Sequence, residues 1–343
     1  MTKLQYKFSG KTTTYYFDAA FDYLEKLVDK TTAVILTDDN VFRTHQRKFK
    51  GWNTIVIQAG ECYKVQATVD NVVEQLINMG ADRATFLIGV GGGVVTDIAG
   101  YVAAVYMRGI SFGFVPTSIL AMVDASVGGK NGVDVGVYKN LVGTIRQPAF
   151  LLYDYSLLKT LPEQEWVNGF AEIIKHAAIR DAALFRELEK KKLSSYRRDK
   201  TALAKLIRRN VVIKSNVVEK DEFERGERRL LNFGHTLGHA IENLYQLPHG
   251  HAISIGMAIA SLISEEYTDF KDTDRVIGTL KQYGLPTQIN FDVKEIMNVL
   301  RMDKKKVRES MNYIMLNKIG QGVVKTIPIV QIDKLLQSII TAR

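Results

Sequence analysis

Residues 84–107 read ATFLIGVGGGVVTDIAGYVAAVYM: a short apolar run, three glycines, then a long segment with helical apolar spacing. A strand that turns through glycine straight into a helix is the opening of a βαβ unit, and such units build parallel sheets with helices on their faces. The flanking sequence repeats this pattern. TTAVILTDD (31–39), TIVIQ (54–58) and ISFGFVPTS (110–118) read as further buried strands, and Val69, Val72, Val73 and Leu76 keep helical spacing up to a closing Gly80. Residues 1–155 are therefore expected to form a Rossmann-like α/β nucleotide-binding domain.

The pattern changes near Glu163. Helical segments at 163–180, 182–192, 200–220, 235–246, 252–267 and 273–283 predict an all-α domain over 156–343, with the boundary near Gln147-Pro148 and Leu161-Pro162. The length of 343 residues suits two domains. No repeat or low-complexity linker separates them, so they are expected to pack directly, with a cleft between.

Several classes are set aside by composition. No apolar run approaches the roughly 20 residues of a membrane helix, and the start MTKLQYKFSG lacks the apolar core of a secretion signal. With one cysteine, Cys62, and no intrachain disulfide, the expected compartment is the cytoplasm. The net charge of +9 suits an anionic ligand or simply a solvated surface. The basic stretch 187–209 reads as an exposed helical face, because Leu203, Leu206 and Ile207 give it a buried side. No aromatics alternate with its charges and no nucleic-acid signature is present, so neither nucleic acid nor membrane is expected as a partner.

Four of the six histidines fall between Leu230 and Met257, in LLNFGHTLGHAIENLYQLPHGHAISIGM. His235 and His239 are four apart and share a helix face; His249 and His251 follow Pro248. Such crowding points to a metal site, the plainer alternative being helix caps or satisfied core groups. Spacing alone does not choose among the four. HTLGH is similar to the HExxH of zinc proteases, but Thr236 stands where the glutamate is required. Upstream, FAEIIKHAA puts Glu172 and Lys175 on one helix face among Phe170, Ala171, Ile173 and Ile174. A carboxylate buried there needs a cation, and a divalent metal would serve. Lys214, Glu224, Arg228 and Asn232 add groups suited to a carboxylate or phosphate.

The first half carries an anion set. Gly91-Gly92-Gly93 lets a phosphate approach backbone N–H groups at a helix start. The spacing is not GxGxxG, since Val94 stands where the third glycine would fall counting from Gly89, so a dinucleotide would sit in a variant manner. Asp97 caps N–H groups or holds a ligand hydroxyl, and Asp38 is a ribose partner or a turn residue. Glu61 and Lys64 begin a helix. From Ser118 to Asn140, a loop with Asp124, Ser126, Gly128, Gly129, Lys130 and Lys139 resembles an anion cradle.

In combination, GGGVVTDIAGYVAAVYMRG, PTSILAMVDASVGGKNG, KNLVGTIRQP, GFAEIIKH, LLNFGHTLGHAIE and LPHGHAISIGM resemble the 3-dehydroquinate synthase family of sugar-phosphate cyclases, from about Asp38 to Asp303-Lys304-Lys305. The resemblance implies a homodimer with tightly held NAD and one zinc or cobalt ion, acting on 3-deoxy-D-arabino-heptulosonate 7-phosphate. It assigns the metal to Glu172, His235 and His249, and NAD to Asp38, Glu61, Lys64, Gly92, Gly93, Asp97, Thr117, Ser118, Lys139 and Thr160. It gives the substrate's phosphate and carboxylate to Lys130, Asn140, Lys214, Arg228, Asn232 and His239, with Arg108 reaching the neighbouring subunit's site. Asp124, Lys175 and Glu224 would line the reacting centre, and a lysine of 304–305 would touch substrate. Three positions depart from the family pattern: His251 for Glu or Gln, Asp134 for Asn, and Tyr101 for Phe. Neighbouring classes are sister cyclases on other sugar phosphates, iron-type alcohol or glycerol dehydrogenases, and a non-catalytic nucleotide-binding regulator.

Overall fold

The computed structural model describes residues 1–136, 138–302 and 310–341. Two compact units emerge: Met1–Trp166 with Lys200–Phe223, and Val167–Asp199 with Glu224–Arg343. The chain therefore passes between the units three times, where a single cut near residue 155 had been expected.

The first unit contains β1 (Thr2–Lys7), β2 (Thr12–Phe17), β3 (Ala33–Asp38), α1 (Asp39–Thr44), α2 (Gln46–Phe49), β4 (Asn53–Ile57), α3 (Gln66–Asn78), β5 (Phe86–Gly91), α4 (Gly93–Val105), β6 (Ser111–Pro116), β7 (Lys130–Val135), β8 (Tyr138–Ile145) and β9 (Phe150–Tyr153). The main sheet has the order β1-β2-β9-β6-β5-β3-β4. All its pairings are parallel except β1 with β2. Every residue of β3 is buried, as a parallel strand covered on both faces requires. Helix α4 packs across β3, β5 and β6. Phe21, Leu24, Ile35, Phe49, Trp52, Ile88, Val90, Val115 and Leu152 join in one apolar cluster, each such side chain contributing roughly 1.5–3 kcal/mol when fully buried.

Of the six parallel strands, the five that follow β2 in the chain, β3, β4, β5, β6 and β9, lie in the doubly wound order in which β3 sits between β4 and β5. The chain thus leaves β3 in one direction and β5 in the other. Open α/β sheets bind ligands at the carboxyl ends of the strands where the winding reverses. Here that is the end of β3, at Asp38, and the end of β5, at Gly91 to Gly93.

After α5 (Glu163–Arg180) come α6 (Ala182–Lys190), α7 (Leu193–Arg198) and α8 (Lys200–Lys220). Helix α8 belongs with the first unit because it packs on β1 and on the turn Ala121–Ala125. Its inner side carries Leu203, Leu206 and Ile207, all buried. The second unit continues through α9 (His235–Tyr245), α10 (His249–Thr268), α11 (Thr273–Gln282), α12 (Val293–Met302), β10 (Ser310–Lys318), β11 (Gln321–Pro328) and α13 (Ile329–Thr341). It is helical, as expected, but not wholly so: β10 and β11 form an antiparallel hairpin. On β10, Met311 and the run Tyr313 to Leu316 are buried, and on β11 Ile327 is. Among the described residues no helix is long and apolar enough to cross a membrane.

Candidate active site

In the first unit, the strand ends and the hairpin β7–β8 assemble a charged set. Asp38 accepts a hydrogen bond from Val41 N at 2.9 Å and so caps α1; burial pushes its carboxyl above the ordinary range. The turn reading of Asp38 thus holds, and its place at the winding reversal remains. Gly92 is the residue before α4, and the position its Cβ would take meets only the Ser118 hydroxyl, at 3.7 Å. Thr117 N donates to Gly91 O at 2.9 Å, and Ser118 Oγ accepts from Ala121 N at 3.2 Å. A ligand anion can therefore come close to the first N–H groups of α4.

Lys64 does not begin a helix. It follows a 3₁₀ turn at Glu61–Tyr63 and precedes α3. Its side chain is buried, ion-paired with Asp97 and hydrogen-bonded to Asn140 Oδ1 at 2.5 Å. Asp97 is therefore held by a lysine rather than by helix N–H groups, although burial still raises its carboxyl pKa. Lys139 pairs with Glu61 at 3.1 Å and lies 3.5 Å from Asp134. Asp134, a residue the sequence marked only as a departure, organises the group. It accepts from Asn140 N at 2.7 Å, and its own N–H donates to Lys64 O at 2.8 Å. Asn140, whose N–H bonds Asp134 Oδ1, sits at φ +52°, a conformation asparagine tolerates better than most residues.

The expected loop from Ser118 to Asn140 is instead a π-helical turn at Ala121–Ala125 followed by the hairpin β7–β8. The turn aims Asp124 at α8, where Lys214 Nζ donates to both its main-chain O and Oδ1, each at 2.7 Å. Lys130 is exposed at the start of β7. Arg108 is exposed in a left-handed turn at φ +62°. Thr160 lies on a separate turn and shares a 3.0 Å hydrogen bond with His45 Nε2.

In the second unit, glycines let backbones meet. α9 and α10 are joined by three residues and pack as a helical hairpin. A Cβ on Gly256 would fall 2.0 Å from Gly234 O, and one on Gly250 would fall 2.2 Å from Asn168 O. The first contact sets α10 against the start of α9, and the second sets α5 against the start of α10. Asn168 Oδ1 also accepts from Gly250 N. These approaches bring Glu172 of α5, His235 of α9 and His249 of α10 together.

Glu172 is fully buried. Its Oε1 lies 3.6 Å from His235 Nε2 and 3.5 Å from His249 Nε2, and one ligand atom from each of the three lies within 4.8 Å of the other two. A tetrahedral ion with bonds of about 2.0–2.1 Å holds its ligand atoms about 3.3–3.4 Å apart. The trio therefore fits a divalent ion with one position left open. Both imidazoles present Nε2, because their Nδ1 atoms are engaged: His235 with Phe233 O at 3.2 Å, His249 with Glu242 Oε2 at 3.1 Å. Burial, reinforced by Lys175, holds His235 well below the usual histidine range, in the neutral form that a metal needs. Burial also opposes charge on His249, but hydrogen bonds to Glu172 and Glu242 outweigh it and push the imidazole up to about 10. Without a metal, the carboxylates draw positive charge to the place an ion would take.

The cation that burial of Glu172 demanded is Lys175, ion-paired with it inside the unit. His239 stands with its ring 5.0 Å from that of His235. Asn232 donates to Glu224, which sits at φ +58°, and Arg228 is buried between them in sequence. His251 is half-buried and belongs to none of the groups of metal-capable side chains among the described residues. The 303–305 segment lies outside the described residues. Glu242 escaped the sequence reading, although its spacing from His235 and His239 puts all three on one helix face.

A nucleotide-type α/β unit joined to a helical unit with a carboxylate–imidazole metal set defines the class of protein. This chain belongs to the 3-dehydroquinate synthase family: its N-terminal family pattern matches residues 54–168 and its C-terminal pattern residues 169–306. The 3-dehydroquinate synthase of Thermodesulfovibrio yellowstonii is 41% identical over 274 residues, 78% of this chain and 76% of the relative. That of Pyrococcus abyssi is 41% identical over 276 residues, 80% and 81% of the two chains. Among solved structures, 2-epi-5-epi-valiolone synthase from Streptomyces hygroscopicus, with NAD+ and Zn2+ bound, superposes with TM-score 0.88 at 26% identity, covering 100% of this chain and 99% of its own. A 2-deoxy-scyllo-inosose synthase complexed with carbaglucose-6-phosphate, NAD+ and Co2+ gives 0.86 at 25%, covering 98% and 100%. An iron-containing alcohol dehydrogenase from Thermotoga maritima shares the fold, with TM-score 0.68 at 14% identity over 97% and 99% of the chains.

Proposed function

We propose that this chain converts 3-deoxy-D-arabino-heptulosonate 7-phosphate into 3-dehydroquinate and inorganic phosphate, with NAD and one zinc or cobalt ion as resident cofactors. The observation that carries the reading is the Glu172–His235–His249 trio, at separations of 3.5 and 3.6 Å, in a chain 41% identical to 3-dehydroquinate synthases. The bound NAD and metal of the two cyclase structures support the cofactors. When bound, NAD supplies reversible hydride exchange at a secondary alcohol and the divalent ion supplies Lewis acidity.

Glu172, His235 and His249 would hold the ion. Gly92 and Gly93 leave the start of α4 open to a pyrophosphate, and Asp38 at the neighbouring strand end suits a ribose hydroxyl. Glu61, Lys64, Asp97, Lys139, Thr117, Ser118 and Thr160 complete that set. Lys130, Asn140, Lys214, Arg228, Asn232 and His239 suit the phosphate and carboxylate of an anionic sugar acid. Asp124, Lys175 and Glu224 are assigned to the reacting centre. Buried cations such as Lys175 and Arg228 stabilise shifting negative charge more strongly than solvated ones. The substrate loses phosphate and closes a carbocycle without net oxidation, so the chain's main task is to hold successive conformers in place.

We read the active form as a cytoplasmic homodimer in which Arg108 reaches the neighbouring subunit's site, with neither nucleic acid nor membrane as partner. Exposed Val105 and Met107 beside Arg108, and Leu141, Val142 and Ile145 on β8, support an apolar interface in this unit.

The test incubates protein loaded with NAD and metal with the heptulosonate phosphate. The expected result is phosphate release with no net absorbance change from NADH. Net NADH formation from an alcohol would place the chain with the dehydrogenases. Phosphate release only from sedoheptulose 7-phosphate or glucose 6-phosphate would place it with the sister cyclases, and no turnover of any substrate would leave a binding protein.

A further inference from the structure

We infer that Glu242 is a positioning residue for His249: it holds that imidazole in the tautomer and orientation that present Nε2 to the metal, and so tunes the affinity for the ion. The inference rests on the metal assignment proposed above. Glu242 Oε2 lies 3.1 Å from His249 Nδ1, while the ring's other nitrogen is 3.5 Å from Glu172 Oε1. Glu242 is 8% exposed, so water competes weakly for the bond. Glu242 follows His235 by seven residues on α9, two turns along the same face. One helix thus supplies a ligand and the group that orients the ligand facing it.

The two histidines are held differently. His235 gives its Nδ1–H to a main-chain carbonyl, Phe233 O, at 3.2 Å. His249 gives its own to a carboxylate, which raises the electron density at Nε2 more than a carbonyl does. Glu242 also adds negative charge to a site where Lys175 already balances Glu172, which favours a divalent ion. A competing arrangement exists, because His239, Glu242 and His249 also offer ligand atoms within 4.8 Å of one another. It would make Glu242 a ligand in place of Glu172, and Co2+ affinity would then be insensitive to Glu172→Gln.

The test uses the full chain, stripped of metal and titrated with Co2+ against a competing chelator, with the visible spectrum recorded. For Glu242→Ala the expected result is on the order of 10- to 100-fold weaker binding and a shifted Co2+ absorption band, at a stoichiometry of one ion in wild type. Glu242→Gln, whose amide oxygen still accepts the Nδ1–H, keeps a band close to wild type and loses more than twofold but less than the alanine variant; it decides the matter if the alanine variant does not fold. Affinity within twofold of wild type and an unchanged band in the folded variants would overturn the inference, as would two ions in wild type with one lost in the variant. Glu172→Gln separates the two claims. If it keeps wild-type Co2+ affinity, the metal assignment fails; if it loses Co2+ while the Glu242 variants keep it, only the positioning role fails.

Discussion

Gly256→Ala, two turns from the nearest proposed ligand on its helix, is expected to weaken metal binding. The added methyl would sit 2.0 Å from Gly234 O, 2.9 Å from Gly234 C and 3.0 Å from Gly238 N. All three are backbone atoms, so no rotamer change relieves the contact. Ordinary carbon–oxygen contacts begin at about 3.3 Å, so α10 must retreat from α9 by about 1.3 Å. Metal sites tolerate about 0.2 Å in their bond lengths, and His249 moves with α10 while His235 stays with α9. Overpacking of this kind costs up to about 3 kcal/mol, and the better helix propensity of alanine returns about 1 kcal/mol. The net loss of about 2 kcal/mol lowers Tm by roughly 4–8 °C, and affinity for Co2+ falls at least about tenfold, one 1.4 kcal/mol step. Gly278, on α11, has nothing within 4 Å of its added Cβ, so Gly278→Ala should raise stability by up to about 1 kcal/mol and leave the metal alone. The assay is thermal melting of the metal-free protein beside Co2+ competition for both variants. A Gly256→Ala protein as stable as the Gly278→Ala protein, with wild-type Co2+ affinity, would refute the claim that this contact sets the ligand geometry.

Two further outcomes follow from buried charge. Asp154 accepts from Phe21 N at 3.1 Å and Ser156 N at 2.9 Å and pairs with Lys48 at 3.0 Å; burial raises its pKa, but Ser156 and Lys48 outweigh it and hold the carboxyl below its ordinary 3.8. A depressed folded value stabilises the protein above the unfolded one and loses that contribution as pH falls through the folded value. Asp154→Asn should therefore cost about 1–3 kcal/mol in urea unfolding at neutral pH, with the deficit shrinking below pH about 3.8; an equal deficit at both pH values would count against this account. Lys64→Met strips the cation from Asp97, and losing one partner of a buried pair costs about 3–5 kcal/mol. Adding Asp97→Asn should recover part of that, giving a coupling of about 0.5–3 kcal/mol in a double-mutant cycle; strict additivity would contradict the pairing.

How far the sequence could be read follows from what each part depends on. β3, β5 and α4 were legible because a strand buried on both faces is apolar throughout and a helix shows its period within a dozen residues. α8 was recognised as a helix at 200–220, yet its place in the first unit depends on Lys214 reaching Asp124, a contact across ninety residues that no local pattern encodes. β10 and β11 were missed because neither shows a clean two-residue period: Tyr313 to Leu316 are buried in a row on β10, and Ile327 alone is buried on β11. At the site, Glu172, His235 and His249 were named through the family resemblance, since spacing left four histidines open. Glu242 passed unnoticed, and Asp134 was marked only as a departure from the family pattern, because each acts on a neighbour's orientation, and only coordinates show which atom an acid faces. Gly250 and Gly256 look like ordinary helix glycines until the opposing backbones of Asn168 and Gly234 are in view.

Anomalous diffraction from crystals grown with Zn2+ and NAD tests the central claim most directly. The account predicts one strong zinc peak per chain, about 2.0–2.2 Å from a Glu172 carboxylate oxygen and from Nε2 of both His235 and His249. A peak held by other side chains, or well-occupied zinc that leaves any of these three unbound, would contradict it.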